Sequence, residues 1–142
     1  MDRLQALSDF PLLRSSLWQS TPVDCPPGSP MFVNAVVGLL PRAKETPESL
    51  LDQLQALERE FGRQPRKILN EPRPLDLDLI SFATQTRSSE RLTLPHPRAH
   101  ARRFVLQPLS ELAAGLVLPG QVLSVRQLLE TLDPSERLLR LS

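Results

Sequence analysis

The segment Leu75-Asp-Leu-Asp-Leu-Ile-Ser-Phe82 alternates leucine with aspartate inside an apolar run, and that alternation restricts the backbone it can adopt. In an extended strand, residues two apart point the same way, so Asp76 and Asp78 share one face. Leu75, Leu77 and Leu79 share the other. The two aspartate Cα atoms would lie roughly 6.5 Å apart. Aspartate is a poor strand former, and like charges this close repel unless a cation stands between them. Two readings satisfy the pattern. One is a solvated, acidic strand face; the other is a pair of ligands for a hard divalent ion. Mg²⁺ commonly takes one or two carboxylates and completes its shell with substrate phosphates.

The flanking charges favour the second reading. Arg63, Arg66, Lys67 and Arg73 precede the pair, and Arg91, Arg98, Arg102 and Arg103 follow it. Acidic ligands between basic segments are what a nucleoside triphosphate site requires, with cations on the phosphate oxygens and metal bridging neighbouring phosphates. Left to themselves, the same charges would pair as surface salt bridges of little energetic value. The chain has no Gly-x-x-x-x-Gly-Lys-Ser/Thr segment and no kinase-type glycine-rich loop. Phosphate transfer here would therefore use neither of those scaffolds.

Composition bounds the remaining possibilities. A length of 142 residues suits one domain with a sizeable core, and 40% hydrophobic with 23% charged residues is ordinary for a soluble globule. The formal net charge of +1 gives no bulk field to attract nucleic acid or membrane. Lys44 and Lys67 are the only lysines. Arginine suits bidentate phosphate recognition, although a GC-rich genome produces the same bias. Cys25 stands alone, which rules out an intrachain disulfide or a thiolate metal cluster. No apolar run approaches the roughly 20 residues of a membrane span, and no export signal is evident. The expected location is the cytoplasm. The 15 prolines are scattered and imply several ordered loops.

Along the chain, residues 1–7 read as the end of a helix, and Leu12–Ser20 and Met31–Leu40 as strands separated by a proline-rich loop. A helix follows with clear punctuation. Thr46 is its N-cap, Pro47 its first residue, Glu48 sits at the positive end of the dipole, and Gly62 stops it. Leu50, Leu54, Leu57 and Phe61 recur at helical spacing within it. A basic loop leads to the strand Leu75–Phe82. After a short polar connection, helices are expected over Phe104–Ala113, with Pro108 in or near the first turn, and after Ser124. This order predicts a single α+β domain over residues 1–142, an antiparallel sheet packed with helices and a helical C-terminal part.

Four ordered segments, "TPV…FVNAVV", "ALEREFGR", "EPRPLDLDLISF" and "RLTLPHPRAHARRFVLQPLSELA", resemble the 6-hydroxymethyl-7,8-dihydropterin pyrophosphokinase family of folate biosynthesis. The last two together are highly specific, and the resemblance runs from about Ser15 to Gly120. It implies a ferredoxin-like sheet and transfer of diphosphate from ATP to the pterin hydroxymethyl oxygen, with release of AMP. Asp76 and Asp78 match the ligands of two Mg²⁺ ions. Arg63, Arg73 and Arg102 match basic residues of the catalytic machinery. Gln55, Glu58, Arg91, His96 and Arg102 match the ATP side. Pro22, Val23, Phe32, Asn34 and Phe104 match the pterin pocket, where an amide reads the ring edge and aromatics sandwich its faces. The implied partners are these two small molecules, with neither nucleic acid nor membrane, on a monomer or weak dimer.

The chain also departs from the family pattern. Members begin with a β-strand ending in a Gly-Ser-Asn turn, whereas this sequence opens at "MDRLQALSDF", inside the helix that follows. The expectation is a first strand encoded upstream of Met1; the alternative is an inactive, truncated paralogue acting as a binding protein. In the basic loop, Pro65 stands where a second arginine is frequent, and Asn70 where an aromatic is frequent. An RNA-binding sheet is disfavoured, because such sheets use exposed aromatics and this chain has no Tyr and 4% aromatics.

Overall fold

A computed structural model describes residues 2–20, 32–62, 76–134 and 138–141. A 3₁₀ helix, Asp2–Leu7, leads into four short strands: β1 (Leu13–Arg14), β2 (Trp18–Ser20), β3 (Phe32–Asn34) and β4 (Val37–Gly38). The helix α1 (Pro47–Gly62) follows, then the hairpin β5 (Arg87–Ser88) and β6 (Thr93–Leu94). A short 3₁₀ turn, Ala99–Ala101, precedes α2 (Arg103–Ala113), α3 (Val125–Thr131) and β7 (Leu138–Arg140). All pairings among these strands are antiparallel: β1 with β4, the order β3-β2-β7, and β5 with β6. The class is α+β.

Both expected N-terminal strands are present, but each is interrupted, and at the same level. Ser15, between β1 and β2, faces Val36, between β3 and β4. The Ser15 amide donates to the Val36 carbonyl at 3.0 Å, while the Val36 amide donates to the Ser15 hydroxyl oxygen at 2.8 Å. A side chain has replaced one rung of the ladder. The serine is buried, so this substitution satisfies an amide that would otherwise be left unpaired.

Helix α1 starts where its sequence signals say it should. The Ser49 amide donates to Thr46 Oγ1 and the Thr46 amide to Ser49 Oγ, a reciprocal cap. Its Leu50 and Leu54 are buried against Phe82, Leu92 and Leu94, with Leu77 and Leu79 packed alongside. Glu48, in the first turn, is held below the usual carboxylate range by its hydrogen bond from Arg87 of β5.

Three expectations need correction. Residues 76–81 form no ladder among the described residues, so the strand over Leu75–Phe82 is absent there. The Leu77 amide goes instead to a side chain and the Ile80 carbonyl to the His96 amide, leaving no run of strand–strand bonds. The alternation nevertheless holds, with Asp76 and Asp78 exposed and Leu77 and Leu79 turned into the core. Second, Pro108 lies well inside α2 and fully buried, rather than in its first turn. Burial of the ring against neighbouring side chains offsets the backbone bond it removes. Third, the C-terminal part is not wholly helical, because β7 adds to the edge of β2. The polar connection after residue 82 likewise contains the β5–β6 hairpin.

Helices α2 and α3 pack through Leu106, Leu109, Val125 and Leu128, and Ser124 caps α3 in a capping box with Gln127. Glu111 of α2 anchors the β3-β2-β7 sheet. Its carboxylate accepts from Trp18 Nε1 at 2.6 Å, from Ser16 Oγ at 2.9 Å and from the Ser16 amide, and Arg140 of β7 donates to the same Ser16 hydroxyl. Desolvation pushes the Glu111 pKa up, but the Trp18 and Ser16 hydrogen bonds outweigh it and the net direction is down. A lowered carboxylate contributes stability that is fully present above the ordinary value of 4.5 and is lost as pH falls through the folded-state value. Water screens this exposed group, so Glu111→Ala is expected to cost about 1 kcal/mol at pH 7, and the gap should narrow as pH falls below the ordinary carboxylate value. Urea unfolding of both proteins across pH measures the difference; equal gaps at both ends of the range would exclude this role.

Candidate active site

The backbone from Asn34 to Pro41 and the segment from Asp76 to Ala83 form the two sides of one cleft. Leu50 and Leu54 of α1 line one part of it, and Phe104, Val105, Leu109 and Leu112 of α2 another. Its volume is about 530 Å³, within the range of small-molecule sites. The walls are chiefly apolar. The polar side chains that enter are few: Asn34, Asp76, Asp78 and Ser81.

The local sequence explains how these groups arrive together. Asn34 ends β3, opposite Trp18 of β2, and is half-buried. Phe104 is the second residue of α2, with one side in the cluster of Ala99, Val105 and Leu118. Asp76, Leu77, Asp78 and Leu79 all line the cleft, the aspartates exposed and the leucines half-buried against Leu50 and Leu54 of α1. Between the two aspartates, the Leu77 amide donates to the carboxylate of Glu58 on α1 at 3.1 Å. That contact, between residues 19 positions apart, has no signature in the sequence.

The remaining expected residues fall into three groups. Arg102 and His96 border the cleft elements. The Arg102 guanidinium lies 5.3 Å from the Phe104 ring centre, a cation–π distance. The His96 amide donates to the Ile80 carbonyl at 2.8 Å, and its Nδ1 accepts from the Arg98 amide, so the histidine orders the turn after β6. Gln55, Glu58, Arg91, His96 and Arg102 are not among the cleft-lining residues. Gln55 is half-buried on α1, and the exposed Arg91 is ion-paired with Asp52 of the same helix. Such an exposed pair is worth little and would yield readily to a phosphate. Pro22, Val23, Arg63 and Arg73 lie outside the described residues, and Phe32 is placed by its backbone alone. The sites expected of the proline-rich and basic loops are therefore untouched by this geometry.

The donor set fits a hard divalent cation that shares its ligands with a substrate. Asp76 and Asp78 are exposed and alternate with half-buried leucines along the segment that lines the cleft. Among the described residues no third His, Cys, Asp or Glu joins them in a metal-holding group. A protein cage for Ca²⁺ or Zn²⁺ would need more ligands, whereas Mg²⁺ held by two carboxylates keeps open positions for water or phosphate.

A family model described as 7,8-dihydro-6-hydroxymethylpterin-pyrophosphokinase matches residues 1–114. A Haemophilus influenzae protein named 2-amino-4-hydroxy-6-hydroxymethyldihydropteridine pyrophosphokinase is 42% identical over 106 residues, 75% of this chain and 64% of the relative. Proteins of the same name from Pseudomonas aeruginosa and Synechocystis are 42% and 37% identical over 120 and 140 residues. Those matches cover 84% and 94% of this chain, and 72% and 70% of the relatives. The chain thus spans about two thirds of the length of these relatives.

Proposed function

The chain belongs to the 7,8-dihydro-6-hydroxymethylpterin-pyrophosphokinase family, and on that premise we propose that it transfers diphosphate from ATP to the hydroxymethyl group of 6-hydroxymethyl-7,8-dihydropterin in folate biosynthesis. The observation that carries this reading is a single cleft holding Asn34, Phe104 and the Asp76–Asp78 pair. The apolar walls suit a flat heterocycle. Asn34 offers a carbonyl and an amide to the ring edge, and Phe104, with Phe32 as its counterpart, offers an aromatic face.

In the transfer, the pterin hydroxymethyl oxygen bonds to the β-phosphorus and the bond from that phosphorus to the oxygen bridging to the α-phosphate breaks. AMP leaves with the bridging oxygen, and the hydroxyl proton passes to solvent. Asp76 and Asp78 would hold two Mg²⁺ ions, which when bound neutralise the polyphosphate charge. Arg63, Arg73 and Arg102 supply further positive charge to the oxygens of the transferring group. Gln55, Glu58, Arg91 and His96 belong to the nucleotide side, with Arg91 exchanging Asp52 for a phosphate. Pro22 and Val23 belong to the pterin side.

One domain, on a ferredoxin-like sheet, completes the reading. The protein would work in the cytoplasm as a monomer or weak dimer, without nucleic acid; no helix among the described residues is long and apolar enough to cross a membrane. An inactive descendant is less favoured, because its drift would have no reason to keep the acidic pair, the amide and the aromatic in one cleft.

The direct test is AMP formation from ATP, Mg²⁺ and the reduced hydroxymethylpterin. The 142-residue chain is assayed beside a form extended by the codons preceding Met1. AMP in step with pterin diphosphate, from either form, is the expected result. Binding of both substrates without turnover in either form would instead favour the inactive descendant.

A further inference from the structure

We propose that Glu58 is a positioning residue whose carboxylate, by accepting the Leu77 amide, fixes the backbone between Asp76 and Asp78 so that the two carboxylates act together at the cleft. The inference rests on the diphosphotransferase reading above and assigns Glu58 a task other than touching the nucleotide. Carboxylates two residues apart share a face only while the residue between them stays extended. In a regular sheet, ladder bonds on both sides would enforce that. Residues 76–81 have no such ladder among the described residues. Their restraints are packing of Leu77 and Leu79 against Leu50 and Leu54, the bond from the His96 amide to the Ile80 carbonyl, and the bond from the Leu77 amide to Glu58.

Of these, among the described residues, the Glu58 bond acts on the backbone between the two aspartates. The Ile80 bond lies beyond them, and leucine packing tolerates a twist of the main chain that an oriented hydrogen bond resists. An ionised acceptor makes this bond about twice as strong as a neutral amide–carbonyl bond. Glu58 is also half-buried on the rigid α1, so its side chain reaches the loop from a fixed base. A third metal ligand is not what the geometry describes, because among the described residues no group of three acidic or imidazole side chains forms here.

The test compares Glu58→Ala and Glu58→Gln with the unmodified 142-residue protein. Glutamine keeps an acceptor oxygen, whereas alanine removes it. In amide hydrogen exchange, Leu77 of the unmodified protein should be protected, Glu58→Ala should lose that protection and Glu58→Gln should keep most of it. Mn²⁺, added alone as a paramagnetic probe, should broaden the Asp76 and Asp78 amides at about 10- to 100-fold higher concentration in Glu58→Ala. Glu58→Gln should recover most of that affinity. In turnover, Glu58→Ala should lower kcat by a similar factor with an unchanged melting temperature. Wild-type Mn²⁺ affinity in Glu58→Ala, with a raised KM for ATP, would overturn the proposal in favour of direct nucleotide contact. A Leu77 amide indifferent to Glu58 would overturn it outright. If the unmodified protein turns nothing over, the diphosphotransferase reading is what fails, and the amide and Mn²⁺ measurements still decide the role of Glu58.

Discussion

Asp76→Ala and Asp78→Ala are each expected to lower kcat/KM for diphosphate transfer by about 10²- to 10³-fold, the scale seen when one pre-organised charge-stabilising group is removed. Both carboxylates are exposed and line the cleft, and neither takes part in an ion pair within 4.0 Å among the described residues. Their removal should therefore leave stability within about 0.5 kcal/mol of the parent, because exposed substitutions away from packed or capped positions rarely do more. Deleting one of two like charges even relieves some repulsion. Loss of turnover with an unchanged urea midpoint is the expected combination. Retention of more than about a tenth of the parent kcat/KM in both variants would remove the metal-ligand assignment, as would a large loss of stability.

Leu106→Ala should do the reverse. Leu106 is fully buried in α2, packed with Leu109 against Val125 and Leu128 of α3, and Val36 lies against the same cluster. Truncation removes three buried carbons and leaves a cavity that two helices and a strand segment cannot fully close. The expected cost is about 2–5 kcal/mol, a large share of the roughly 5–15 kcal/mol that holds such a domain together. Urea or thermal unfolding measures it directly. The matching control is Val122→Ala, at a side chain 91% exposed, where the change should stay within about 0.5 kcal/mol. If Leu106→Ala unfolds no more easily than the control, the α2–α3 core is not where the stability resides. Because Val105 and Leu109 of the same helix line the cleft, residual activity should fall with the folded fraction rather than ahead of it.

These variants separate the cleft from the core that shapes it. The aspartates act on chemistry with little consequence for the fold, since their burial was never part of the packing. Leu106 acts on the fold, and on chemistry only through it. Glu58 stands between the two, touching the backbone of the acidic segment without contributing to the apolar core.

Several features were legible in the residues because they depend on short-range physics. Thr46, Pro47 and Gly62 mark the ends of α1 through capping and backbone freedom, which act within one turn. Ser124 and Gln127 do the same for α3. The leucine–aspartate alternation sorts its two faces by burial even without a ladder, because side-chain direction in an extended chain is local geometry. The motif pattern from "FVNAVV" to "ARRF" sufficed for the family.

Other features depended on partners distant in the chain, which no local pattern encodes. Whether residues 76–81 join a sheet is decided by what lies beside them, and here a helix carboxylate and one histidine amide take the place of strand neighbours. Arg91 reads as a phosphate ligand in sequence but folds back onto Asp52, and Pro108 enters the helix interior because the α2 packing accepts its ring. The sequence by itself determined the helix ends, the two-faced acidic segment and the family. Only the tertiary structure decided which backbone groups found partners, how the short strands divide into separate sheets and which charged side chains face the cleft. Propensity and periodicity act over a few residues, whereas hydrogen-bond pairing and burial depend on groups brought together from far along the chain.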